Sequence, residues 1–551
     1  MRSLVRFATL VAVAWPVWSL ATSAPPPSQI PSADACAALA RRQIPETTIA
    51  VADMVREGSF APAGTSRAIT GLPDFCRVAG EIRPTADSHI GFELWLPMRN
   101  WNRKLAGAGN VGFGGVIQYD YSGTGATDAV SAAAIPYGFT MADQLKRGYA
   151  TVATDTGHRN GDGGDDRASF ALGHPERVID FAYRAVHEVV VKGKSLTAAF
   201  YGRPVEHTYW IGQSTGGRQG LMEAQRYPTD LDGIVAGAPP INLTWNWVRH
   251  MDAGLVVARD AEHSLISGAP LNLLHRAVVV ACDQNDGMLD GLIGDPRTCA
   301  FDPGALLCRS GQGAGECLTA TQVEAARWIY EGLKDPVTGV LLNPGLERGS
   351  ESGWRGAFTG GSPHPASISY FRWLVAEDAA WAWKSFDLRR PSDWETVRKS
   401  ESRLAPLLSA MNPDLLAFKN RGGKILHFHG WSDERVEPRS STNYYEQAVK
   451  TVAAVRQDQA DGLRELQAFY RLYMVPDMNH GLGNGAGPAE FDMLTALEQW
   501  VEHDIAPDAI VARHSTNGVI VRSRPICPYR QIAKYTGNGD TNDARRFVCG
   551  T

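Results

Sequence analysis

Ser214 lies in Gly212-Gln-Ser-Thr-Gly216, a G-x-S-x-G pattern. The short apolar run Thr208-Tyr-Trp-Ile-Gly212 precedes it, and a helix-like stretch from Gly220 to Arg226 follows. A serine at such a strand-to-helix turn is a candidate nucleophile. The turn is sharp, flanking glycines relieve the crowding, and the following helix aims its positive end at developing negative charge. The pattern alone also occurs in ordinary glycine-rich turns, so the strand and helix around it carry the reading. A serine hydroxyl needs a base, and the base needs an orienting carboxylate. Around this kind of elbow the chain order is Ser, acid, His. Asp433 follows the apolar run Lys424-Ile-Leu-His-Phe-His429 in Gly430-Trp-Ser-Asp433. His480 follows the run Phe469 to Met474 in Val475-Pro-Asp-Met-Asn-His480. Glu434 and Asp477 are rival acids, and His427 and His429 rival bases. The two histidines fall within a strand-like run, where a packed, hydrogen-bonded imidazole is the plainer reading.

An oxyanion formed at Ser214 calls for two backbone N–H groups. Thr215, next after the nucleophile, is expected to supply one. The glycine-rich stretch Gly107-Ala-Gly-Asn-Val-Gly-Phe-Gly-Gly115 is expected to supply the other, with Gly112 as the best single choice. This stretch is no dinucleotide fingerprint, because it lacks G-x-G-x-x-G with a helix and a spaced acid after it. The alternative is a loop without a role.

A second constellation is Cys282-Asp-Gln-Asn-Asp-Gly-Met-Leu-Asp-Gly-Leu292. Asp283, Asp286 and Asp290 are hard oxygen donors close in sequence. Gly287 and Gly291 allow tight turns, and the carbonyls of Met288 and Leu292 are available to complete a shell. This density suits Ca²⁺. The spacing is not that of an EF-hand, and a solvated acidic turn remains an alternative. Such an ion would be structural.

These residues need elements to position them. Phe92–Leu96, Tyr149–Ala153, Thr208–Gly212, Gly233–Gly237, Lys424–His429 and Phe469–Met474 read as strands. Pro175 to Phe200 and Leu494 to His503 read as helices. Alternation of strands and helices predicts an α/β fold with helices on both faces of a sheet. Far more chain separates Ser214 from Asp433 than Asp433 from His480. The excess, residues 245–410, is rich in tryptophan (Trp245, Trp247, Trp328, Trp354, Trp373, Trp381, Trp383) and holds four of the eight cysteines. It is expected to form a separate lid over the strand ends, inserted into a catalytic domain of residues 25–244 and 411–551.

Arg2 and Arg6, the apolar stretch Leu10–Leu20 and the small residues Ala21, Ser23 and Ala24 read as a signal peptide over residues 1–24. The apolar stretch contains Pro16 and is shorter than the roughly 20 residues of a membrane-spanning helix. The mature chain is thus expected to be periplasmic or secreted, with no membrane association after cleavage, and residues 25–35 read as a leader. An oxidising compartment makes the eight cysteines a disulfide framework. Sequence proximity pairs Cys36 with Cys76, Cys282 with Cys299, Cys308 with Cys317 and Cys527 with Cys549. The 56 glycines and 15 tryptophans suit a loop-rich enzyme better than a helical bundle. The 54 basic and 59 acidic residues, without a long basic run, give no sign of a nucleic-acid partner.

Several stretches together resemble the tannase/feruloyl esterase family, which also includes the enzyme that cleaves mono(2-hydroxyethyl) terephthalate. They are Ala153-Thr-Asp-Thr-Gly-His158, Tyr209-Trp-Ile-Gly-Gln-Ser-Thr-Gly-Gly-Arg-Gln-Gly220, Glu223-Ala-Gln-Arg-Tyr-Pro228, Asp232-Gly-Ile-Val-Ala-Gly-Ala-Pro239, His429-Gly-Trp-Ser-Asp433 and Met478-Asn-His480. The resemblance runs from about residue 36 to 549. It implies an α/β-hydrolase fold with a large inserted lid domain, a Ser214-Asp433-His480 triad and a structural calcium held by Asp283, Asp286, Asp290 and the carbonyls of Met288 and Leu292. It implies no other cofactor. It also implies a serine carboxylesterase acting on a small aromatic ester of feruloyl, galloyl or terephthaloyl type, with lid aromatics such as Phe371, Trp373, Trp381 and Trp383 near the acyl ring or within the lid core. The chain departs from the family at one pair of positions. The family has cysteines just before the serine and just after the histidine, which form a disulfide; here they are Gln213 and Gly481. The eight cysteines present match the family's other four bridges. A lipase, a peptidase and a catalytically silent binding protein on the same fold are the alternatives.

Overall fold

Short buried runs build the central sheet of the computed structural model, which describes residues 32–62, 68–120, 138–159, 167–258, 265–313, 315–358, 361–456, 459–481 and 485–551. The expected signal peptide lies outside the described residues. The end of the expected leader is already helical, since a helix spans Ala33–Leu39. Nine strands join the sheet: β1 (Thr47–Val55), β2 (Phe75–Ile82), β3 (Ile90–Pro97), β4 (Lys104–Ala108), β5 (Ala150–Thr154), β6 (His207–Gln213), β7 (Gly233–Gly237), β8 (Lys424–Gly430) and β9 (Tyr470–Val475). Their spatial order is β1-β2-β3-β5-β4-β6-β7-β8-β9. The strands from β1 to β3 pair antiparallel, as do β3 and β5; from β5 to β9 every pairing is parallel.

Parallel strands are covered on both faces and read as continuous apolar runs. Alternate residues of β6 show why. Tyr209 and Ile211 pack with Val235, Leu426 and Phe428 against Leu497 and Trp500 of a helix at Met493–His503. Trp210 faces the other way, with Ile234 and Ile425, onto Leu221 and Met222 of a helix at Thr215–Arg226 and onto Tyr444 and Tyr445. A sheet sandwiched between helices in this strand order is the α/β-hydrolase fold.

Two helix expectations need correction. The helix after Ser214 starts at Thr215, not Gly220, because the glycines of this turn pack against neighbouring backbone instead of breaking the helix. The stretch read as one helix from Pro175 to Phe200 has a π turn at Asp180–Arg184 between α-helices at Pro175–Ile179 and Ala185–Tyr201. Asp180 is fully buried there and is paired with Arg184 at 2.5 Å.

Among the described residues, none between Gly237 and Lys424 joins the main sheet. That segment carries helices at Leu243–Val257, Gly268–Cys282, Ala320–Glu331, Glu351–Phe358 and Pro391–Leu408. It has its own apolar core around Leu274, Val278, Ile329 and Trp354. The expected lid boundary at 244/245 falls inside the helix Leu243–Val257. A second cluster joins the segment to the main body, through Phe113, Val178 and Phe181 on one side and Phe371, Trp394 and Leu404 on the other. All four cysteine pairs expected from proximity form disulfides. The C-terminal region adds two antiparallel hairpins, Ile510–Thr516 with Val519–Ile526 and Ile532–Tyr535 with Phe547–Gly550. No helix among the described residues is long and apolar enough to cross a membrane.

Candidate active site

Parallel pairing brings the C-terminal ends of β6, β7, β8 and β9 to one edge, with Gln213 beside Gly237, Gly237 beside Phe428 and Gly430 beside Val475. Ser214 stands just past the end of β6 with φ 57° and ψ −125°. A non-glycine residue at positive φ is strained and persists only where its surroundings enforce it. Here the Ser214 amide donates to the Gly237 carbonyl at 2.8 Å, and Trp210 Nε1 donates to the Gly216 carbonyl at 2.9 Å. The elbow's glycines are needed for space. A Cβ on Gly212 would stand 2.3 Å from the Gly216 carbonyl carbon, and one on Gly109 would stand 2.7 Å from the Gly216 Cα. Ser214 remains partly exposed.

The glycine-rich stretch after β4 lies against this elbow. Thr215 Oγ1 donates to the Gly112 carbonyl, and Gly112 itself has φ +56°. Among the described residues the Thr215 and Gly112 amides donate to no other group. Asn110 holds the stretch in place. Its amide donates to Gln219 Oε1 at 3.0 Å, Gln219 Nε2 donates back to Asn110 Oδ1 at 3.0 Å, and Asn110 Nδ2 donates to the Thr154 carbonyl at 2.7 Å. Asp155 supports the same floor, accepting from the Gly91 and Gly157 amides while its carbonyl accepts from the Gly115 amide. Sequence reasoning passed over Asn110 and Gln219, although both lie inside stretches it singled out.

His480 Nδ1 donates to Asp433 Oδ2 at 2.7 Å. The rival acids are placed otherwise. Glu434 accepts from the His480 backbone amide at 3.1 Å instead of its ring, and Asp477 accepts from Ser432 Oγ at 3.1 Å and the Ala486 amide at 3.2 Å. Asp433 is fully buried, and its Oδ1 accepts from the Arg435 and Val436 amides, both at 2.8 Å. Burial by itself pushes this carboxyl up. The facing charge of His480 and the hydrogen bonds from His429 and His480 outweigh it and hold the group well below the usual carboxylate range. Burial, and next the Asp433 charge, push the Glu434 carboxyl above its ordinary value. Of the rival bases, His429 is fully buried with both ring nitrogens engaged. The His480 side chain is 13% exposed, and its Nε2 has no hydrogen bond among the described residues. The structure therefore joins acid to base. It does not join base to nucleophile, since the Ser214 hydroxyl has no hydrogen-bond partner among the described residues.

Gln213 and Gly481 stand at the two positions where the resemblance implies a cysteine bridge. Other contacts tie the His480 loop down. The Ser432 amide donates to the Met478 carbonyl at 3.1 Å, and the helix Glu351–Phe358 reaches the loop at Gly353. A Cβ there would lie 2.8 Å from both Asn479 Nδ2 and Glu434 Oε2.

Of the two readings of the lid aromatics, the lid core is the one their contacts match. Phe371 is fully buried, stacked on Trp381 (5.7 Å, 24°) and edge-on to Phe386 (4.8 Å, 63°), so it belongs to the apolar core of the inserted segment. Trp373, Trp381 and Trp383 pack against the same cluster. Phe113, next to Gly112, stacks on Trp247 (5.5 Å, 17°), and Trp247 stacks on His364 (6.2 Å, 24°). Trp247 Nε1 is buried without a hydrogen-bond partner among the described residues.

The acidic loop at 283–292 folds on itself. Asp283 accepts from the Asp290 amide at 3.3 Å and the Gly291 amide at 3.0 Å; Asp286 Oδ1 accepts from the Met288 amide at 3.0 Å; Asp290 Oδ1 accepts from the Leu292 amide at 3.1 Å. The Met288 and Leu292 carbonyls accept no hydrogen bond among the described residues. Burial, then the charges of Asp290 and Asp283, push Asp286 up to about 6. Arg524 Nη2, at 2.5 Å from Asp290 Oδ2, balances one of these charges. The residue types, three carboxylates and two carbonyls free of hydrogen bonds, suit a hard divalent cation, but among the described residues the three carboxylates do not converge within reach of one ion, and Arg524 holds one oxygen of Asp290.

The family model for tannase and feruloyl esterase matches residues 76–550. An uncharacterised esterase of Xanthomonas campestris pv. campestris is 35% identical over 556 residues, covering 94% of this chain and 91% of that one. The mono(2-hydroxyethyl) terephthalate hydrolase of Piscinibacter sakaiensis is 34% identical over 553 residues, covering 89% and 86%. The crystal structure of feruloyl esterase B from Aspergillus oryzae matches with a TM-score of 0.80 at 28% identity, covering 94% of this chain and all of that one. The chain therefore belongs to the tannase and feruloyl esterase family and is a carboxylic ester hydrolase.

Proposed function

We propose that the protein cleaves small aromatic carboxylic esters through an acyl-enzyme on Ser214, with His480 as base and Asp433 as its orienting acid. The observation that carries this reading is the 2.7 Å bond from His480 Nδ1 to Asp433, which leaves Nε2 without a hydrogen bond among the described residues. In the first step Ser214 Oγ attacks the ester carbonyl and His480 Nε2 takes its proton. Asp433 stabilises the resulting imidazolium. The Thr215 and Gly112 amides, not engaged elsewhere, serve the oxyanion. His480 then gives the proton to the departing alkoxide, the alcohol leaves, and the acyl group stays on Oγ. In the second step His480 takes a proton from water, the hydroxide attacks the acyl carbonyl, and the aromatic acid leaves as Ser214 recovers its proton. Phe113, buried next to Gly112, backs the partly exposed Trp247, whose indole is the apolar group of this pair left to meet an acyl ring.

Asp283, Asp286 and Asp290 with the Met288 and Leu292 carbonyls are the residues that would hold a calcium ion once their side chains turned from their present partners to a common centre, and the ion would stiffen the loop between Cys282 and Cys299. The four disulfides support export to the periplasm or beyond. The test is a panel of methyl ferulate, methyl gallate, mono(2-hydroxyethyl) terephthalate and a long-chain nitrophenyl ester, with Ser214→Ala as control. Ser214-dependent turnover of one aromatic ester is expected. Turnover confined to the long-chain ester points to a lipase, and none at all in folded protein sinks the proposal.

A further inference from the structure

The strand histidines, read from the sequence as packed and hydrogen-bonded, form a chain of hydrogen bonds that ends at the acid. His427 and His429, two apart on β8, point to the same face of the sheet. Tyr470 Oη lies 2.8 Å from His427 Nδ1, and His427 Nε2 lies 2.9 Å from Ser441 Oγ. Ser441 Oγ lies 2.7 Å from His429 Nδ1, and His429 Nε2 lies 3.2 Å from Asp433 Oδ2 and 3.1 Å from the Val436 carbonyl. Both imidazoles and Ser441 are fully buried.

The chain has only one direction that serves every group. The Val436 carbonyl only accepts, so His429 Nε2 carries hydrogen and points it at Asp433 as well. As a neutral ring, His429 then accepts at Nδ1 from Ser441. The serine's one hydrogen is thereby used, so it must accept from His427 Nε2–H. His427 in turn accepts at Nδ1 from the Tyr470 phenol. Reversing the chain would require a cationic His429 in a fully buried place, and it would leave the Tyr470 hydrogen without an acceptor among the described residues. Burial favours the same direction at the other members, pushing His427 well below its ordinary value and Tyr470 well above.

We infer that His429 is a positioning residue for the triad, held as its Nε2–H tautomer by Ser441, His427 and Tyr470, and that it fixes Asp433 Oδ2 between two imidazole donors. The inference rests on the triad reading above. Oδ2 receives a hydrogen bond from His480 and another from His429, so the second tempers how strongly the carboxylate favours the His480 cation. Breaking the chain frees His429 to turn away. Asp433 then favours protonated His480 more strongly and loses one of its fixed partners.

The experiment uses the full-length enzyme with Ser441→Ala and with Tyr470→Phe, which preserves ring packing, alongside Ser214→Ala. The readouts are kcat, KM and the pH profile of kcat/KM on the preferred ester, together with nitrogen-15 NMR of histidine-labelled wild type. We expect His429 to report the Nε2–H tautomer that its hydrogen bonds require. We expect Ser441→Ala to lower kcat about tenfold with KM unchanged, a part of the roughly 100-fold that a 1 Å misplacement costs. The acid limb of its profile should move to higher pH, and Tyr470→Phe should show a smaller change in the same direction. A cationic or Nδ1–H His429, or folded Ser441→Ala with wild-type kcat and acid limb, overturns the inference while leaving the triad intact. Hydrolysis that survives Ser214→Ala overturns the triad reading and the inference with it.

Discussion

Replacing Asp433 by Asn keeps the shape of the acid and reverses one of its hydrogen-bonding ends. The structure dictates which. Oδ1 receives two backbone amides at 2.8 Å, from Arg435 and Val436, so the amide oxygen must stay there. The NH₂ group then takes the place of Oδ2, 2.7 Å from His480 Nδ1 and 3.2 Å from His429 Nε2. It donates where the carboxylate accepted. His480 meets it best by giving up the Nδ1 hydrogen and carrying its proton on Nε2, the nitrogen that must take the Ser214 proton. The base is thus present but in the wrong tautomer. In a serine protease the same exchange lowers kcat by about 10⁴-fold, which at about 1.36 kcal/mol per decade is about 5 kcal/mol of transition-state stabilisation. We expect a loss of that order in kcat, with KM changed little because Asp433 does not face the substrate. Initial rates on the preferred ester, corrected for the Ser214→Ala background, measure it, and a thermal melt checks folding. Folded Asp433→Asn enzyme that retains kcat within about tenfold of wild type at neutral pH would refute the assignment of Asp433 as the orienting acid.

Three further outcomes are expected. Gly353→Ala should drive a methyl group into Asn479 and Glu434, lowering stability by about 1–3 kcal/mol as overpacking does and reducing kcat through the His480 loop; a melt and a kcat measurement check both. Glu434→Gln should keep the acceptor for the His480 amide and retain most of kcat, whereas Glu434→Ala leaves that amide unserved and should cost stability by roughly 1–3 kcal/mol, read by denaturant titration. Burial, and next the charge of Asp230, push the Glu223 carboxyl well above its ordinary value, so the folded state holds a proton that the unfolded chain releases above about pH 4.3. Stability from this group is full below that pH and falls as pH rises toward the folded value. Glu223→Gln should therefore raise the melting temperature more at about pH 8 than at about pH 5, and an equal change at both would contradict the assignment.

Much of the framework is legible in local pattern. The strands at 233–237 and 424–430 and the helix at 493–503 lie where apolar runs and spacing place them, within a residue at each end. The elbow at Ser214 is legible because its glycines have a steric task that acts within a few residues. The four disulfides are legible because each joins near neighbours in sequence. Burial of alternate side chains, relief of backbone crowding and closure of short loops all act locally, so a linear chain displays them.

What tertiary structure decided is which distant residues meet. Asp433, Glu434 and Asp477 are all carboxylates near a strand end, and only the folded chain turns Asp433 toward the His480 ring. Phe113 and Trp247, instead of Phe371, Trp373, Trp381 or Trp383, face each other beside Gly112. His429, read as packed and hydrogen-bonded, has the acid itself as one of its partners. Residues far apart in sequence come together only when the parallel strands align their ends and the inserted segment docks on them. The hydrogen-bond partner of a buried group is then set by direction and distance to within a fraction of an ångström, a property of three-dimensional packing that residue type and spacing do not carry.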